Sequence, residues 1–441
     1  MVSRRQYLAL LSIPTVAVAG CPIIEPDPEP EPDTPVPPVE ETPTPTPDDE
    51  INVKEYGAVG DGSTDDTAAI QAAIDAAETG TTIYFPEPAD AYMVSRHSGS
   101  DIITIDGEIH NNDLTIQGEN QNTEIRLFED MQNSYSLFWI SSPENFNLTI
   151  RNLVLDGNRG SNDGVSQYGH GITFRDNHAN RAGNMVVENV EVKNCRTSGI
   201  SVQYGGVTCE NSTSHHNGSH GVEVATNRSG IHEPYPYFKY FHSHSNAVGT
   251  YGVGMNFSGG TGIAEDVVIE RNHGNAGTKV SIGAIDITYR RVRIEDNQGM
   301  IFQITGNNDG ARVTFEDVVC RKNNGPLRLS DNAEYIVPKN SRFVVSNNLV
   351  DSRGQIYLTD SAVLKVDGAI YSNGIYETVG LNSVTSETGS YIANFYHGEA
   401  DQNPVGRTQN IEIHHQDASQ KKDLDNVPRS EDVGVWSESD I

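Results

Sequence analysis

The sequence predicts an all-β solenoid, a column of short coils in which no coil can bury its own apolar side and each must stack on the next. Three observations predict it. One phrase returns in altered spelling between Leu148 and Asp331: His170-Gly-Ile-Thr-Phe174, Ser198-Gly-Ile-Ser-Val202, His220-Gly-Val-Glu-Val224, Tyr251-Gly-Val-Gly-Met255, Lys279-Val-Ser-Ile282 and Leu327-Arg-Leu329. Most copies follow a second apolar alternation, as at 185–192, 265–269 and 313–319, so that about three short strands recur every ~20–30 residues. Finally, Asn152, Asn189, Asn211, Asp266, Asp317 and Asn348 fall at one point, between the two strands of that second pair. A tight bend there needs a residue that tolerates left-handed backbone, and Asn and Asp do so. A stacked Asn ladder is therefore expected, interrupted at Tyr240, Arg291 and Gly368. An antiparallel sandwich would show Asn-Gly hairpin turns instead of such a column.

The elements follow in chain order. Residues 1–21 are a targeting segment rather than fold: Ser3-Arg4-Arg5-Gln6-Tyr7-Leu8 and the apolar run 9–19 resemble a twin-arginine export signal. Val18-Ala19-Gly20-Cys21 resembles a lipobox, which implies lipidation at Cys21 and a membrane contact made only through that anchor. Residues 22–50 are almost wholly Pro, Glu, Asp and Thr, with nothing to bury, and read as an extended spacer. A formal net charge of −31 disfavours nucleic acid as a partner. Such acidity resembles that of exported proteins of salt-loving archaea, since molar salt shortens the Debye length to about 3 Å and screens self-repulsion. Cys195, Cys209 and Cys320 lack metal-ligand spacing; Cys209 reads as core, and a Cys195–Cys209 disulfide stays open. No metal site is claimed, although His215, His216 and His220 share one turn.

Residues 51–95 open with Asn52-Val-Lys-Glu-Tyr-Gly-Ala-Val-Gly-Asp-Gly62. They continue through Asp65-Asp66-Thr67 into an Ala-rich stretch holding Ile70 and Ile74, then Thr82-Ile-Tyr-Phe-Pro86. Asp65 or Asp66 is placed to cap a short helix with Ile70 and Ile74 on one face. Laid across the first coil, that helix hides an apolar end and an open strand edge. This lid, with Leu114-Thr-Ile-Gln-Gly118 and Leu153-Val-Leu-Asp-Gly-Asn-Arg159, resembles the pectate-lyase superfamily over about residues 51–390. That superfamily includes polygalacturonases, rhamnogalacturonases and mannuronan C5-epimerases. The resemblance implies a single-stranded right-handed parallel β-helix with an N-terminal capping helix, here 51–397, followed by a polar tail at 398–441 in which 409–415 forms a closing strand.

In that superfamily the substrate cleft runs along the sheet made by the recurring phrase. Alternation sends Ile200, Val202, Val222 and Val224 inward. The outward set is Thr173, Arg175, Ser201, Gln203, Glu223, Asn256, Lys279, Ser281, Gln303 and Arg328, with His170, His220 and Tyr251 at the strand entrances. Glu223 and Lys279, two coils apart, should lie about 10 Å from each other at their backbones. His220, Glu223, Lys279, Tyr251 and His170 are the candidate catalytic groups. Arg175, Gln203, Asn256, Gln303 and Arg328 are the candidate substrate contacts. β-Elimination on a uronate polymer needs a cation for the carboxylate, a base for the C5 proton and an acid for the leaving oxygen. Hydrolysis needs two carboxyl groups; the face offers one, with Asp163 or Asp176 as a second from a loop. Gly169-His170-Gly171-Ile172 matches the polygalacturonase Gly-His-Gly element without its acidic pair, and Ser201-Val-Gln-Tyr204 stands where mannuronan epimerases carry Asp-Pro-His-Glu. An enzyme cleaving an acidic polysaccharide is expected, lyase favoured over hydrolase. A non-catalytic glycan binder is the alternative. Ca2+ and the choice between monomer and trimer stay open. Sequons at Asn147, Asn211, Asn217, Asn227 and Asn256 are expected to be mostly unused.

Overall fold

The computed structural model describes residues 50–95, 102–107, 113–128, 135–142, 146–161, 169–176, 184–203, 206–225, 235–247, 252–274, 276–281, 284–305, 311–325, 327–329, 333–338 and 341–346, and strands at 356–358, 363–366, 369–377, 383–395 and 409–414. Cys21 and the 22–49 stretch lie outside these. Every strand pairing among the described residues is parallel, as stacking of like coils demands. The architecture is the expected parallel β-helix, with one α-helix, Thr67–Asp75.

Three ladders run its length. The first stacks Tyr135–Ser142, Gly169–Asp176, Ile200–Val202, Val222–Val224, Val253–Phe257, Ala276–Ser281 and Met300–Thr305. The second and third share long strands in the early coils: Met185–Lys193 pairs by its first half with Val207–Glu210 and by its second with Thr213–His215. The bend between those halves is Asn189, at φ 56°. Asn152, Asn211, Asp266 and Asp317 hold the same left-handed backbone, and so do Tyr240 at φ 49° and Arg291 at φ 50°. At Tyr240 and Arg291 the expected interruptions are thus changes of side chain only, while Asn348 and Gly368 lie outside the described residues. Asn189 Nδ2 donates to Asn152 Oδ1 at 2.7 Å, an amide contact between two early coils. Farther along, Arg291 replaces the amide contact with an ion pair, its Nε and Nη2 donating to Asp266 at 2.7 and 2.8 Å one coil back.

A second ladder, not foreseen, occupies the next corner. Asn217, Asn246, Asn272, Asn297 and Asn323 are all buried. Each of the first four donates its side-chain amide to the Oδ1 of the next, at 2.8–3.1 Å, and that same oxygen also accepts the donor residue's backbone N–H. The glycine of the recurring phrase belongs to this corner. Ser214 and Ser243 hydroxyls donate to the carbonyls of Gly221 and Gly254 at 2.7 Å. A Cβ on Gly221 would stand 2.2 Å from Ser243 Oγ and 2.6 Å from Gly254 O, so no larger residue fits.

The interior is filled by inward aliphatics, including Ile200, Val202, Val222 and Val224 as expected, and by an aromatic stack through Tyr289, Phe315 and Phe343. At the lid, Asp65 Oδ1 accepts the N–H and hydroxyl of Thr67, the first helical residue, at 3.0 and 2.6 Å, while Asp66 holds the N-cap position without a side-chain cap bond. Asp66 instead takes the N–H groups of Val59 and Gly60, pinning the loop before it, and burial pushes its carboxyl above the usual range. Ile70 and Ile74 are fully buried against the first coils. The closing strand appears as Gln409–His414, paired with Ser383–Phe395. Cys195, Cys209 and Cys320 are buried, and Cys195 and Cys209 keep separate thiols, so the disulfide left open by the sequence is not formed.

Candidate active-site cleft

The first ladder sets one residue per coil in an unbroken outward column, Trp139, Thr173, Ser201, Glu223, Asn256 and Lys279, with Gln303 next in backbone register. Glu223 and Lys279 therefore occupy one face, separated by Asn256. At about 4.8 Å per strand their backbones are about 10 Å apart. A parallel column at the strand entrances follows from the same register. His170 stands one coil from Ser198, and Ser198 one coil from His220. The two columns meet where Ser198 Oγ donates to Glu223 Oε2 at 3.1 Å.

The expected outward set is not uniformly accessible. Thr173, Ser201 and Asn256 are 0, 2 and 4% exposed, whereas Glu223 and Lys279 are partly open. The reason is length: short polar side chains between longer neighbours form a floor, and the charged groups rise from it. Thr173 is bonded sideways to the Ser136 hydroxyl at 2.8 Å.

Tyr251 lies outside the described residues, and the register removes its assigned place. Val222 pairs with Met255, so Val253, not Tyr251, is opposite His220. The two similar phrases, His220-Gly-Val and Tyr251-Gly-Val, are offset by two residues, an offset that preserves alternation and is invisible to it. The consequence is chemical. Val253 N–H donates to His220 Nδ1 at 3.1 Å, so a neutral His220 carries its proton on Nε2. Burial lowers the His220 pKa, Glu223 opposes that shift and Lys279 deepens it. Burial likewise lowers His170, with Glu223 opposing; its Nδ1 is 3.3 Å from Thr197 Oγ1. Two neutral imidazoles, one carboxylate and one ammonium thus share a field.

Arg175 and Gln203 stand at the other end of the face, on adjacent coils. The exposed Arg175 guanidinium lies 5.2 Å from the centre of the Trp139 ring. Gln303 and Arg328 are in the ladder by backbone, but their side chains lie outside the described residues, as do Asp163 and the side chains of Asp176 and Ser281. Two cleft residues escaped sequence reasoning. Trp139 sits in an almost wholly apolar stretch, Leu137-Phe-Trp-Ile140, which shows no alternation. Ser198 aligns with histidines in the phrase, a position where a serine gives no chemical signal.

Comparison with known proteins bears on this cleft. Residues 50–250 match a family model described as rhamnogalacturonase A/epimerase, pectate lyase-like. The A-module of mannuronan C-5 epimerase AlgE4 from Azotobacter vinelandii superposes with a TM-score of 0.55 at 18% identity, over 83% of this chain and 98% of the module. The fold is that of the parallel β-helix proteins. Mannuronan C5-epimerase AlgE2 of the same organism is 31% identical over 191 residues, 42% of this chain and 19% of that protein. Alginate lyase 7 of Azotobacter vinelandii is 30% identical over 214 residues, 41% of this chain and 24% of the lyase. The chain spans about a fifth to a quarter of the length of these two relatives.

Proposed function

We propose that the protein is an exported enzyme, tethered through Cys21, that removes the C5 proton of a uronate residue in an acidic polysaccharide and completes a β-elimination. The observation that carries this is one carboxylate, Glu223, two coils from one ammonium, Lys279, on a single face with His220 beside them. Lys279 neutralises the substrate carboxylate and so acidifies C5–H. Glu223, positioned by the Ser198 hydroxyl, accepts that proton. The electron pair forms the C4–C5 double bond as the C4–O bond breaks, and His220 Nε2–H protonates the departing oxygen. Trp139 and Arg175 offer the neighbouring sugars a stacking face and a second cation. Hydrolysis needs two carboxyl groups, and among the described residues this column holds only Glu223.

The named relatives support a second outcome from the same first step, return of the proton to the opposite face of C5, which is epimerisation. The experiment separates them. The protein is incubated in high salt with alginate and with pectate, while ultraviolet absorbance of unsaturated uronate and release of C5-bound tritium are followed. Elimination gives both signals; epimerisation gives tritium release alone. Lys279→Ala and His220→Gln should each reduce turnover by about 10²-fold or more. New reducing ends without the absorbance would make it a hydrolase. Glycan binding without turnover, unchanged in both variants, would make it a non-catalytic binder.

A further inference from the structure

Four histidines, His215, His216, His242 and His244, gather at the third ladder, away from the cleft face, and three of them converge. His215 and His244 are paired on adjacent coils with their rings stacked at 4.6 Å. His216 follows His215 at the corner, where its left-handed backbone, φ 55°, brings its ring edge-on to both others at 4.9 and 5.9 Å. One ring nitrogen from each of the three lies within 4.8 Å of the others. The sequence groups His215 and His216 with His220, but the fold sends His220 to the cleft and supplies His244 from the next coil instead.

We propose that His215, His216 and His244 bind one divalent transition-metal ion of the zinc, cobalt, nickel or copper class. Three features favour this over a solvated histidine patch. His215 Nε2 is 3.0 Å from Glu191 Oε1, which fixes its proton there and aims the Nδ1 lone pair inward, the carboxylate–histidine arrangement that supports metal-bound imidazoles. His215 Nδ1 and His216 Nδ1 are 2.6 Å apart, a contact that requires a proton between them and that a cation can replace. Modest side-chain rotation brings three nitrogens to the about 2.0–2.1 Å bond length of such ions. Nitrogen ligands exclude Ca2+, which takes oxygen. Arg271 and Arg159 oppose a cation here, and Glu191 and Glu270 offset them. Because the ligands come from two coils, the ion cross-links the stack.

The test uses the full untagged chain, stripped with a chelator and titrated with Zn2+ by calorimetry and with Co2+ by visible absorbance. Expected are one ion per chain, a visible cobalt band, a rise in melting temperature with metal, and no competition from excess Ca2+. His216→Gln alters an exposed side chain and should leave the metal-free melting temperature unchanged while weakening binding at least tenfold. His244→Gln should do the same to binding, and Glu191→Gln should weaken it about 10–100-fold. Absence of stoichiometric binding, or binding unchanged in His216→Gln and His244→Gln, overturns the proposal.

Discussion

The two corners of each coil solve the same bend in different ways. At the first, the left-handed residue drifts from Asn152, Asn189 and Asn211 through Tyr240 and Asp266 to Arg291 and Asp317 with almost no change in φ. At the second, the left-handed residue drifts just as widely, through Asn194, His216, Ser245, Arg271, Asp296 and Lys322, yet the residue after it is Asn in five successive coils from Asn217 to Asn323. A left-handed backbone penalises an ordinary side chain by about 1–2 kcal/mol, which a stack can absorb. A buried amide whose oxygen takes two N–H groups from the coil before cannot be exchanged without stranding them. Constancy tracks the buried hydrogen bonds, not the conformation.

The sharpest way to break this contrast is Asn246→Ala. It strands the backbone N–H of Asn217, removes one of the two acceptors of the Asn217 amide and takes the amide donor from the carbonyl of Ser214, and should cost about 3 kcal/mol, read as a lower midpoint in urea. A cost below about 1 kcal/mol would equate the two corners. Next in size is a pH effect, because the amide ladder carries no titrating group while the histidines beside it do. His244 has its pKa depressed from 6.5 to about 3, so between those values the unfolded chain binds more protons. The stability this contributes is complete above about 6.5 and is lost as pH falls towards 3. Glu191, depressed from 4.5 to about 2, adds loss only below 4.5. In metal-free buffer the urea midpoint should therefore fall between pH 6.5 and 4.5, and His244→Gln should make that slope shallower, leaving the part owed to His170, His216 and His220, while Asn246→Ala leaves it intact. Smallest is Tyr240→Asn at the tolerant corner. It relieves strain at φ 49° but gives up the Lys239 ammonium 5.1 Å from the ring, for a net gain of about 0.5 kcal/mol in urea denaturation.

What the sequence disclosed follows the same division. The repeat period, the inward valines and isoleucines, the capping helix and the Glu223–Asn256–Lys279 order are all set by alternation and turn chemistry, which act locally and leave a readable pattern. The buried ladder was hidden because Asn217 and its successors stand in mostly polar stretches, from His216-Asn-Gly218 to Lys322-Asn-Asn324, where an asparagine ordinarily signals an exposed turn. Asn217 and Asn256, both sequons, are in fact inaccessible at 0 and 4% exposure and cannot carry a glycan on the folded chain. Tyr251 failed as the counterpart of His220 since a shift of two residues conserves every inward and outward assignment. Only the pairing of Val222 with Met255 distinguishes the registers. The joining of His244 to His215 depends on a contact across about thirty residues of chain, which no local pattern announces.

Glu223 and Lys279 are rooted in strands, so the interval between them exists only in whole multiples of the strand pitch. Recognition on such a flank is digital. Moving either charge along the column by substitution would shift it by complete storeys of the tower, never by a fraction of one.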